Sequence, residues 1–281
     1  MNWMLKTTGY VQAELRLGYL LRRSFDEARN RQTVRLWHRK LAHRSFARYL
    51  LACNSYGRLL WAGAYCAELS ECFDLDEDDR LLDESVHLLT ITDTACCTTD
   101  ESQEIPIRRF RERLRPRAAG LNYIGMIEPA YYVNVCKGAR YKGRRVVSWH
   151  AHYIVWGIGS VRLATLVAGW NEKEVYRSVA DGIPAAHCVV IRPADLPHTV
   201  CYTLKSPTHG YRLRKIERIT EDGEIVFGFK QRKQTLRKGE RIRLFHLMKN
   251  LYLDQMALAG GQGVAMLRRV KKAALGPHSR F

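Results

Sequence analysis

The sequence predicts an α+β protein built around an antiparallel sheet. Three observations lead there: apolar residues at helical spacing fill the first quarter, short β-branched segments follow from about residue 86, and helical stretches separate those segments. Size agrees, because 281 residues with 46% hydrophobic content can bury a core without disulfide or metal staples. Composition excludes extensive disorder, and no apolar run approaches the roughly 18 residues of a membrane span. The opening Met1-Asn2-Trp3-Met4-Leu5-Lys6 lacks the charged-then-apolar order of a secretory leader. A cytoplasmic protein with reduced thiols is therefore expected, and its eight cysteines form no CxxC pair of the zinc-ribbon or dithiol kind.

From about residue 10 to 70 the spacing predicts helix, with Val11, Leu15, Tyr19 and then Val34, Trp37, Leu41, Phe46 and Leu50 at apolar positions. Ten cationic residues against three acidic ones between Tyr10 and Arg48 make this a basic helical extension, spanning residues 1–80. The acidic run Glu71–Asp79 reads as a linker. Its Asp74, Asp76 and Asp78 imitate the start of a calcium loop, but Asp79 stands where such a loop needs Gly and Ser85 where it needs Glu.

Residues 81–210 then form the sheet-bearing segment. Val86–Thr92 suits a buried strand, 103–118 a helix ending in a basic run, and Leu121–Val135 with Arg145–Trp156 a long hairpin whose tip is basic. A helix over 160–181, a strand from His187 to Arg192 and a short helix from Asp195 or Pro197 complete it. The order β-α-β-β-α-β-α matches the ferredoxin-like or RRM-like arrangement, in which helices cover one face and the other stays open to a ligand.

Residues 211–281 add a hairpin around Glu221-Asp222-Gly223 and a helix over about 240–259. From Lys205 to Arg280, 18 cationic and six acidic residues carry +12 of the total charge of +18. Such an excess favours a polyanionic partner, most simply nucleic acid. Gly260-Gly261-Gln262-Gly263 has no following Lys-Ser/Thr, so it reads as a flexible loop rather than a P-loop.

Chemistry concentrates in three places. Period two puts His150 and His152 on one face of their strand, about 6–7 Å apart along it, opposite the apolar set Val147, Trp149, Ala151, Tyr153 and Val155. Two imidazoles so placed can chelate one cation. Glu128, on the strand that folds back against them, can supply a carboxylate, a set that suits Mg²⁺ or Mn²⁺ beside a phosphate. Tyr202 and Lys205, three residues apart on a helix, can bring a phenol and an ammonium to one point. The bland readings are hydrogen-bonded structural histidines and a strand-ending glutamate before Pro129.

In this order the motifs resemble those of the HUH endonucleases, in particular the rolling-circle replication initiators of plasmids and phages. His87-Leu88-Leu89-Thr90-Ile91-Thr92 is similar to the family's hydrophobic threonine-bearing strand. Trp149-His150-Ala151-His152-Tyr153 is similar to its His-hydrophobe-His motif, and Tyr202 to Lys205 to its tyrosine motif. The resemblance spans roughly residues 86–205. It implies that His150 and His152 hold a divalent metal and that Tyr202 attacks a phosphate of single-stranded or origin DNA, leaving a 5′-phosphotyrosine link and a free 3′-hydroxyl. No second tyrosine follows four residues after Tyr202, so a one-tyrosine enzyme is implied, with Tyr211 as the fallback nucleophile. Lacking a P-loop motor, it would draw on a host helicase and polymerase. Two other readings stand beside it: a non-catalytic RRM-like nucleic-acid-binding protein, and an iron oxygenase using His150, His152 and Glu128.

Overall fold

The computed structural model describes residues 7–27, 36–73, 86–102, 104–135, 144–179, 183–219 and 222–276. The chain begins with α1 (Thr8–Glu27), α2 (Leu36–Leu41), a 3-10 turn (Arg44–Tyr49) and α3 (Ser55–Cys72). The sheet-bearing run follows as β1 (Val86–Thr99), α4 (Ile107–Leu114), β2 (Asn122–Val133), β3 (Val146–Trp156), α5 (Ser160–Glu172), β4 (Ala186–Ile191) and α6 (Leu196–Leu204). Then come β5 (His209–Ile219), β6 (Ile225–Thr235), α7 (Lys238–Met248), α8 (Leu253–Met256), β7 (Ala257–Gly260) and α9 (Gly263–Leu275).

The architecture is α+β around one curled, mixed sheet, with strand order β4-β1-β3-β2-β5-β6. β1 pairs antiparallel with both β3 and β4, and β2 antiparallel with β3. The far edge of β2 is shared, with β7 antiparallel along Tyr123–Met126 and β5 parallel along Tyr131–Val133. One hydrophobic cluster runs through all three segments of the chain. It contains Leu17 and Trp61 from the helical region, Trp149 and Ile154 from the sheet, and Phe245 and Val270 from the C-terminal region.

Several expectations shift. The helical region is not continuous, since α2 ends at Leu41 and α3 starts afresh where Asn54 Oδ1 accepts the Gly57 N–H at 2.8 Å. The buried stripe of α1 is Glu14, Leu17, Gly18, Leu21, Ser24 and Phe25, while Leu15 and Tyr19 face solvent at 41% and 55% exposure. α4 is shorter than expected because Pro106 and Pro116 bracket it. α5 ends at Glu172, just before Glu174 turns to a left-handed φ of 46°. β1 runs on past Thr92 through a bulge to Thr99, with buried Asp93 accepting the Arg113 Nε–H. The expected helix over 240–259 breaks after Met248, where Leu251 and Leu253 exchange backbone hydrogen bonds with Ala52 and Leu50. The acidic run from Asp74 and the basic hairpin tip, residues 136–143, lie outside the described residues.

Gly260 to Gly263 is not a loose loop. It closes β7 and opens α9 against β2, so tightly that a Cβ on Gly263 would stand 1.9 Å from the Tyr123 carbonyl oxygen. The histidine-bearing face is not open either. Glu128, Ser148, His152 and Ile154 are all buried, and α6 lies across β2 and β3 there with α3 packed behind it. The apolar stripe of α6, Leu196, Val200, Cys201 and Leu204, is what needs that cover.

Candidate active site

Sheet register builds the site. His150 stands opposite Glu128 on β2 and Thr92 on β1, and His152 opposite Met126 and Thr90, so one face carries both imidazoles and the carboxylate in adjoining rows. His150 Nε2 and His152 Nε2 are 3.0 Å apart, and one ligand atom from each of Glu128, His150 and His152 falls within 4.8 Å of the others. Thr90 Oγ1 lies 2.8 Å from His152 Nδ1 and fixes that ring. His150 Nδ1 faces the Ser148 carbonyl at 3.4 Å, which can only accept, so that nitrogen carries the proton and Nε2 keeps a lone pair.

These residues fit a cation. Two donors held about 2.1 Å from one ion at right angles stand about 3 Å apart, as the two Nε2 atoms do. Glu128 Oε1 is buried with no hydrogen-bond partner among the described residues, and the Arg58 guanidinium, 3.9 Å away, is too far to supply one. Electrostatics agree. Burial, with help from Lys205, holds His150 down to about 4, and burial beside His150 and Lys205 holds His152 well below the imidazole range, so both imidazoles are neutral at pH 7, the form a metal ion would need. Burial pushes Glu128 up to about 8 against the pull of Lys205 and Arg58. A buried Glu/His/His group able to hold a metal ion is thus present where the spacing of Glu128, His150 and His152 suggests it.

α6 brings Tyr202 to the same place. Its ring packs edge-on against His152, centroids 4.9 Å apart, and remains 40% exposed, so the phenol borders both the imidazoles and solvent. Lys205 caps α6 in extended backbone, and its Nζ sits 3.1 Å from the centre of the Tyr202 ring, over the face rather than at the hydroxyl. Burial lowers the Lys205 pKa, against the pull of Glu128; burial and then the Glu128 charge raise that of Tyr202. Tyr211 belongs to β5 and stacks on Tyr132 at 4.9 Å, so Tyr202 is the tyrosine that packs against the imidazole pair.

Two charged residues escape sequence reasoning. Arg58, fully buried in α3, donates to the Ala52 and Leu204 carbonyls at 2.8 Å each and faces Glu128. Glu14 of α1 accepts from the Ser206 N–H and hydroxyl at 2.6 and 2.7 Å. Between them they hold the turn that carries Lys205. The available signal was a charge inside an apolar helical stripe, Arg58 beside Leu59-Leu60-Trp61 and Glu14 in line with Leu17 and Leu21.

No protein-family pattern, curated protein or solved structure shows significant similarity to the chain. Among the described residues, no helix is long and apolar enough to cross a membrane.

Proposed function

We propose that this chain is a metal-dependent nicking and joining enzyme of single-stranded DNA that works through a phosphotyrosine intermediate, as a rolling-circle replication initiator does. The observation that carries the proposal is the meeting of Tyr202, on a helix, with a histidine pair and a carboxylate on two strands, Lys205 lying over the tyrosine ring. The central strand order 4-1-3-2, antiparallel throughout and built from β-α-β-β-α-β, supports the ferredoxin-like core such enzymes use. The net charge of +18 supports a DNA partner.

In this reading Tyr202 Oη forms a bond to phosphorus while the bond from phosphorus to the 3′-oxygen breaks. The phenolic proton ends on the departing 3′-hydroxyl, and the 5′ end stays esterified to the protein. Glu128, His150 and His152 would hold Mg²⁺ or Mn²⁺, which would supply positive charge to neutralise the phosphate oxygens. Lys205 offsets the charge of the phenolate, which burial otherwise disfavours. Because the ester conserves the energy of the broken bond, a 3′-hydroxyl can reverse the step and rejoin DNA. Host helicase and polymerase would extend that end.

A non-catalytic RRM-like binder is the second reading, favoured by the raised pKa of Tyr202, since burial and the Glu128 charge make its phenolate harder to form than that of a free tyrosine. A cleavage assay on a library of end-labelled single-stranded oligonucleotides with Mn²⁺ separates the two. Wild type is expected to cut, with at least a hundredfold loss in His150→Ala/His152→Ala; uncut DNA across the library would leave the binder.

A further inference from the structure

Beyond Val133 and Arg212, β5 leaves the sheet and pairs only with β6, giving a two-stranded ribbon. Its strands hold seven Lys/Arg and a single acid, Glu217. Residues paired across an antiparallel ladder share a face, so the register sorts the ribbon into two. One face carries Arg212 opposite Arg232 and Arg214 opposite Lys230, two successive cation pairs with no acid at any register position. Like charges directly opposite destabilise a ladder. Arg212 is satisfied by Gln234 and Glu240, at 2.7 and 2.9 Å. Arg214, Lys230 and Arg232 are exposed and make no ion pair with a described residue, so among the described residues nothing offsets their repulsion.

We infer that this ribbon is a docking arm for double-stranded DNA, its Arg214, Lys230 and Arg232 face set against backbone phosphates. Charge complementarity argues for a polyanion, and the shape selects among polyanions. A two-stranded ribbon fits the roughly 12 Å major groove, and same-face residues recur along it at a regular spacing of about 6.8 Å. Single strands are gripped by aromatic side chains on which bases stack, and no aromatic residue occupies the cationic face at any register position. The far end is uncovered as well, Ile219 and Ile225 standing 76% and 62% exposed on the other face. The acids Asp222 and Glu224 of the connecting turn oppose insertion tip-first, so the contact is along the ribbon.

The inference goes beyond the cleavage reaction and does not need it. Binding of the full chain, in a Tyr202→Phe background, to a 30-base-pair duplex and to a 30-nucleotide single strand is followed by fluorescence anisotropy across a salt series. The variant Arg214→Gln/Lys230→Gln/Arg232→Gln should lose at least tenfold in duplex affinity at 0.15 M salt, and its log–log salt slope should shrink by about 2 to 3. Single-strand affinity should change less than twofold, and Arg214→Lys/Arg232→Lys should keep the wild-type slope. Unchanged duplex binding, an equal loss on both DNAs, or an equal loss on phosphatidylserine vesicles would overturn the arm. Failure of wild type to cleave DNA, with the duplex effect intact, would remove the proposed reaction and leave the arm.

Discussion

At the residue scale, Glu128 makes the metal-free protein sensitive to pH. Its carboxyl would ionise near 4.5 in the unfolded chain but near 8 when folded, so between those values the native state holds the extra proton and stability falls as pH rises. His150 acts oppositely: its imidazole takes a proton near 6.5 unfolded and near 4 folded, so stability rises between those values. From pH 6.5 to 8 the Glu128 slope stands alone of the two and amounts to about 2 kcal/mol. Urea denaturation in EDTA at both pH values should show that loss in wild type and most of it abolished in Glu128→Gln, while Mn²⁺ should restore wild-type stability at pH 8. Equal slopes in wild type and variant would mean that burial does not hold this carboxyl protonated in the folded chain. His150, His152, Tyr202 and Lys205 were legible in the sequence because strand period and helical spacing are local rules. Arg58 and Glu14 were not: their partners lie 146 and 192 residues away at Leu204 and Ser206, a distance no local pattern spans.

At the scale of elements, packing decides what composition leaves open. Four residues with three glycines read as a loop, yet Gly260 pairs with Tyr123 and Gly263 presses on the Tyr123 carbonyl. Gly263→Ala should therefore cost about 1–3 kcal/mol, because the obstacle is backbone that cannot rotate aside. Thermal melting beside Gly239→Ala, where a Cβ meets nothing within 4 Å, checks it, and equal midpoints would show that this junction gives way. Most strands were legible because β-branched runs and period two mark them directly. Their ends were less so: the continuation of β1 begins with Asp93, whose charge reads as a terminus until Arg113 is seen to satisfy it. The short β7 had no signal of its own, since four residues become a strand only through the free edge of β2.

For the whole molecule, the excess of cations and the burial of the site belong together. In the proposed function a charged surface would gather DNA without distinguishing sequences, while the mostly buried Glu128, His150 and His152, bordered by one half-exposed phenol, would confine reaction to a strand that can reach Tyr202. Charge was legible from composition alone. The closing of the histidine face by α6 and α3 was not, because it depends on helices from two distant stretches of chain settling on one sheet. The most direct measurement is mass-spectrometric mapping of the covalent adduct trapped when the full chain meets a single-stranded substrate with Mn²⁺. A nucleotide mass on the peptide holding Tyr202, absent from Tyr202→Phe, is the predicted result. An adduct carried by Tyr211, or none on any substrate of the library, would contradict it.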